Sequence, residues 1–208
     1  MKRTKLTSKN MRNMRSRESS GERFSRLAAM GEQVFHADDL ANLWGIYNTS
    51  TLHMTLSRYV AQGFLFRIQK GLYSIKKPTD LHPHIIGLKA LHGPAYISCE
   101  TVLFEEGVIN QPPRSISIVS GVSRRFTLAG RDYRSRKLAD AFLFNDAGVR
   151  IKDGARVASL PRAVADTLYF NPKKYFDVPS AIHFDAVLDI VRAVGYPLSI
   201  MKGYDPTK

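Results

Sequence analysis

The sequence predicts an α+β protein, with an N-terminal winged helix-turn-helix followed by a mixed α/β C-terminal part. Three observations lead there. Short helical segments closed by Gly31, Gly45 and Gly63 run directly into an alternating hairpin that turns at Gly71. Positive charge is concentrated in the same stretch: residues 1–77 hold 14 Lys/Arg against 5 Asp/Glu, within a net charge of +13. Beyond Pro78 strand-like and helix-like patterns alternate.

Residues 1–19 read as a basic flexible arm. The first 17 carry seven basic residues and no acid, with too little apolar surface to offset the entropy of ordering. Such an arm either contacts DNA or is a solvated tail. Order begins near Ser20. Phe24, Leu27, Ala28 and Met30 share a helical face that Gly31 ends; Val34–Phe35 is extended. Asp38 and Asp39 cap a short helix closing at Gly45, and Asn48–Ser50 cap a third helix reaching about Gln62. In it Leu52, Leu56, Tyr59 and Val60 face inward. Phe64, Phe66 and Ile68 alternate as a half-buried strand, and Leu72–Ile75 returns after the turn. Lys76–Pro78 is the expected linker, so residues 20–77 form one domain and 78–208 another.

In the second domain His84–Leu91 and Tyr96–Glu106 read as helices, Ser115–Val119 and Arg125–Leu128 as strands. Lys152–Gly154 joins two strands as a hairpin. Ser159 caps a helix that carries Val164, Leu168 and Tyr169 inward, and Asp185–Val194 is a last helix ended by Gly195.

Bulk properties exclude several classes. No apolar run can span a bilayer, so no membrane partner is expected. A single cysteine, Cys99, excludes an internal disulfide and suits the cytoplasm. The basic surplus points to a polyanion, because each cation near a phosphate releases counterions. RNA and membrane surfaces attract such charge too.

A helix that reads DNA needs a buried face to fix it and a polar or basic outer face to reach base edges. With Leu52 and Leu56 inward, Ser50, Thr51, His53, Met54, Ser57 and Arg58 point outward. The hairpin adds Arg67, Gln69 and Lys70 as contacts to backbone or minor groove. Arg124, Arg125, Arg131, Arg134, Arg136 and Lys137 form a second basic cluster. It reads as a solvated strand face, a second phosphate-contacting surface or an RNA-binding patch. Catalytic signatures are weak. The six histidines lack zinc-ligand spacing, the acids form no nuclease pattern, and there is no glycine-rich phosphate loop, so neither metal nor cofactor is expected. Cys99 reads as a small core residue.

Two parts of the chain resemble a known family. Leu56–Arg67 followed by Lys70–Tyr73 is similar to the winged helix of AbiEi-type antitoxins of type IV toxin–antitoxin systems. Gly93–Leu103 and Arg156–Tyr169 are similar to stretches of that family's C-terminal domain. The resemblance implies a DNA-binding antitoxin that represses its own operon at inverted repeats. It also implies a nucleotidyltransferase toxin as functional partner, counteracted without a need for a stable complex. His53 and Met54 stand where relatives often carry arginine, so the operator need not match theirs. A stand-alone regulator and a nuclease with a DNA-binding module remain the alternatives.

Overall fold

The computed structural model describes residues 19–204; of the expected arm over residues 1–19, all but Ser19 lies outside the described residues. Helix α1 (Ser20–Ala29) begins with a reciprocal cap. Ser19 Oγ accepts the Glu22 N–H at 3.2 Å, and the Glu22 carboxylate accepts the Ser19 N–H at 2.6 Å. Leu27 is buried, but Met30, expected inward, sits on the C-cap beyond the last turn that touches the core and is exposed. Strand β1 (Val34–His36) leads into α2 (Ala37–Trp44), where Asp39 reaches back to the His36 N–H at 3.0 Å and Gly45 closes the helix in the left-handed region.

Helix α3 (Thr49–Ala61) is capped by Asn48, whose Oδ1 accepts both the Thr51 N–H at 2.9 Å and its hydroxyl at 3.1 Å. Strands β2 (Phe66–Gln69) and β3 (Leu72–Ser74) join β1 in an antiparallel sheet of order β1-β3-β2. The expected phase of β2 is partly wrong. Leu65 is fully buried, while Phe64 is 36% exposed. The N–H groups of both return to the Tyr59 carbonyl, so this pair closes α3 instead of opening the strand. A register shift between Arg67 and Gln69 breaks the alternation again. Trp44 stacks on Tyr59 at 5.1 Å in the middle of this small core.

The larger part holds α4 (Pro83–Lys89), β4 (Ala95–Ile97), α5 (Glu100–Glu105), β5 (Ile116–Ser120), β6 (Arg124–Leu128), β7 (Arg131–Lys137), α6 (Asp140–Leu143), β8 (Val149–Lys152), β9 (Ala155–Ala158), α7 (Leu160–Phe170) and α8 (Phe184–Val194). Its six strands form one mixed sheet in the order β6-β7-β5-β4-β9-β8. The stretch from Tyr96 to Glu106, expected as one helix, splits into β4 and α5. A buried apolar run does not distinguish strand from helix; here β5 and β9, pairing on either side, claim it as a strand. Strand β7, also unanticipated, pairs with both β5 and β6.

Helix α4 covers one face of this sheet, where Gly87 lies against the Tyr133 ring and the Tyr133 hydroxyl donates to the Pro83 carbonyl at 3.0 Å. Arg136, on the opposite face, meets α5 and α7 at Glu100 and Phe170. The small sheet is not separate: Val34 and Leu72 are buried in the larger core, Lys89 pairs with Glu32, and His36 stacks on His92 at 4.0 Å.

Arg162, on α7, is fully buried with all five of its N–H donors engaged. They reach Asp166, Tyr96 Oη and the carbonyls of Phe142, Asn145 and Ala147 at 2.8–3.2 Å. Asp166, equally buried, also accepts from Ser98 Oγ and Tyr196 Oη, each at 2.6 Å. Burial raises the Tyr96 and Tyr196 hydroxyl pKa values, with the Asp166 charge adding to the shift. This closed network ties the loop after α6 to α7 and to the chain after α8.

Candidate nucleic-acid interface

Helix α3 has one face in the core and one in solvent. Leu52, Thr55, Leu56 and Tyr59 are buried; Val60, expected inward, is only half-buried. Ser50, Thr51, His53, Met54, Ser57 and Arg58 are all exposed. Thr51 differs from the others, since its hydroxyl is held by the Asn48 cap. Met54 is 67% exposed, a large apolar side chain among polar neighbours. Arg67 projects from β2, Lys70 is exposed in the turn, and Gln69 is half-buried at the bulge. Among the described residues Arg58, Arg67 and Lys70 make no ion pair, so their charges face solvent uncompensated.

The hairpin tip does not stand alone. The Gly71 carbonyl accepts the Ala37 N–H at 2.9 Å. A small cleft of about 190 Å³ places Gln69 and Lys70 with His36, His92 and Arg124. Arg124 thus comes from the second basic cluster to the tip of the first unit, a juxtaposition with no local sequence signal.

Alternation divides the rest of that cluster. Arg125 on β6 lies directly opposite Arg134 on β7, and both are exposed. They share the face of Arg136, two residues along β7 from Arg134, whereas Arg131 alternates to the other face with Tyr133. Arg136 is mostly buried, pairs with Glu100, and lies over the Phe170 ring at 5.5 Å. That pairing holds the Glu100 carboxyl below its ordinary pKa against the opposing effect of burial. Arg134, Arg136 and Lys137 line an open cleft of about 610 Å³ with Ser123, Asn171 and Lys174. Lys174, in the turn that follows α7, is a contributor that the sequence pattern did not mark.

The remaining candidates for chemistry are structural. His84 is buried, and its pKa falls to about 4, by burial first and then by His82 and Lys152, so the ring is neutral near pH 7. Among the described residues no three His, Cys, Asp or Glu side chains come together to hold a metal ion. Cys99 occupies a strand-to-helix turn between β4 and α5 with φ 54 and ψ −134, a strained position that in other folds can carry a nucleophile. Its thiol is buried, however, and burial pushes its pKa up to about 12, which suppresses the reactive thiolate. No described helix is long and apolar enough to cross a membrane.

No family model and no curated protein matches the sequence. Among solved structures, the chain is similar to the Rv2827c protein from Mycobacterium tuberculosis. The similarity amounts to 13% identity with a TM-score of 0.47, over 86% of this chain and 72% of that one, and nothing about ligands or activity follows from it.

Proposed function

We propose that this protein binds double-stranded DNA as a regulator and not as an enzyme. In this reading residues 20–77 act as a winged helix, with α3 as the recognition helix and the β2–β3 hairpin as the wing. The observation that carries it is the outer face of α3: six exposed side chains, one of them an arginine with no ion pair among the described residues, on a helix held by a buried opposite face. Ser57, His53 and Arg58 offer hydrogen-bonding groups to base edges, and Met54 offers an apolar contact to a thymine methyl. Lys70, at the turn, reaches phosphate. The resemblance to AbiEi-type antitoxins extends the reading to a repressor of its own operon that counteracts a nucleotidyltransferase toxin in the cytoplasm.

The test is binding to a duplex from upstream of the gene and to a scrambled duplex, at two salt concentrations. Affinity falls about tenfold or more between roughly 50 and 200 mM salt, because several phosphates are neutralised. Arg58→Ala lowers discrimination between the two duplexes by about 1–3 kcal/mol, whereas Lys70→Ala weakens both equally and flattens the salt slope. Binding untouched by both substitutions overturns the docking. For the antitoxin part, co-expression rescues growth from an adjacent nucleotidyltransferase toxin; full rescue by residues 1–77 alone refutes a role for the larger part.

A further inference from the structure

The cleft on the outer side of β7 has no part in that reading. Four cations surround it: Arg134, Arg136, Lys137 and Lys174. The single carboxylate present, Glu100, is already engaged by Arg136 and by the Ser117 hydroxyl at 3.0 Å. The last carbonyls of α7 add about half a negative charge nearby, which leaves the surplus strongly positive. Arg134 also lies directly across from Arg125, and like charges opposed on neighbouring strands destabilise a sheet. Neither forms an ion pair among the described residues, although Asp132, whose Oδ1 accepts the Thr127 hydroxyl, lines a neighbouring cleft with both. Ser123 Oγ accepts the Lys137 N–H at 3.1 Å, and its hydroxyl proton remains free to donate towards the cleft.

We propose that this cleft is a binding site for the polyphosphate group of a nucleotide-sized anion. Arg134 is the central contact, Lys174 and Lys137 close over the outer oxygens, and the Ser123 hydroxyl donates to one of them. Arg136, anchored by Glu100 and Phe170, supplies a donor that needs little further ordering on binding. The volume, about 610 Å³, lies within the range of small-molecule sites.

The experiment is calorimetric titration of the full chain at about 150 mM KCl, where loose surface attraction is screened. The probes are ATP, pyrophosphate and adenosine. ATP and pyrophosphate bind saturably and adenosine does not. The double variant Arg134→Ala/Lys174→Ala loses at least about tenfold in affinity for both anions, and Arg134→Lys with Lys174 intact, which keeps the charge but not the planar fork, loses less than the double variant. Thermal melts check that each variant is folded. Lack of saturable binding by either anion overturns the proposal, as does unchanged binding by the folded double variant. A scrambled duplex that displaces ATP, and whose own affinity falls as far in the double variant, also overturns it by making the cleft a track for duplex backbone.

Discussion

Replacing Arg162 with methionine tests whether the larger part of the protein depends on its buried charge network. The substitution keeps much of the aliphatic volume and removes five donors at once. Asp166, fully buried, would keep the Ser98 and Tyr196 hydroxyls as donors and lose its counter-charge. The carbonyls of Phe142, Asn145 and Ala147 would be left without the donors that now satisfy them. Breaking a buried pair by removing one partner costs about 3–5 kcal/mol, far more than the exposed Arg192–Asp189 contact could contribute. For a chain of this length that corresponds to a fall in Tm of about 6–20 °C. Urea unfolding followed by circular dichroism measures the loss. The companion Arg162→Met/Asp166→Asn removes the stranded charge but keeps an acceptor for the hydroxyls, so it recovers about 1 kcal/mol or more of the single variant's deficit. A single variant that loses less than about 1 kcal/mol, or a double variant that loses the sum of the two single effects, refutes the reasoning.

Three further outcomes are expected. Leu56→Ala opens a cavity beneath α3 and costs about 2–5 kcal/mol, read by chemical denaturation. Gly87→Ala places a Cβ 2.4 Å from the Tyr133 ring, so the ring must shift and the melt shows a loss of about 1–3 kcal/mol; an unchanged Tm would show that α4 is free to slide. His84 has a pKa lowered from 6.5 to about 4, so the unfolded chain takes up the proton first. Stability is therefore intact above pH 6.5 and declines as pH falls from 6.5 towards 4, by up to about 3 kcal/mol; in His84→Gln this component of the slope is absent.

Much of the first unit was legible because its signals are local. Asn48 before an amphipathic run, Gly45 after one and Gly71 in a turn each act through backbone groups a few residues away, and each does so in the structure. The outer face of α3 follows from the same periodicity once Leu52 and Leu56 point inward. The hairpin around Asp153–Gly154 was equally plain, with both residues in the left-handed region. Phe64 was misplaced because a closing turn of α3 and an opening strand compete for the same apolar residues, and the Tyr59 carbonyl decides between them.

What the sequence could not determine are the encounters between distant segments. Tyr96 and Ile97 are strand because Val119 and Ile118 of β5 pair with them and Val157 of β9, 60 residues on, pairs with Ile97. Nothing local marks Arg162, yet among the described residues it is the largest fully buried side chain, because Tyr96 and the stretch 142–147 meet Asp166 of its own helix to supply its acceptors. The basic cluster read as one group, but pleating sends Arg125, Arg134 and Arg136 to one face and Arg131 to the other, while Arg124 meets the hairpin tip. Residue type and spacing act within a turn or a strand, and so they define caps, breaks and faces. Which faces meet, and which charges a fold can bury or must leave bare, depends on long-range pairing that only the tertiary structure decides.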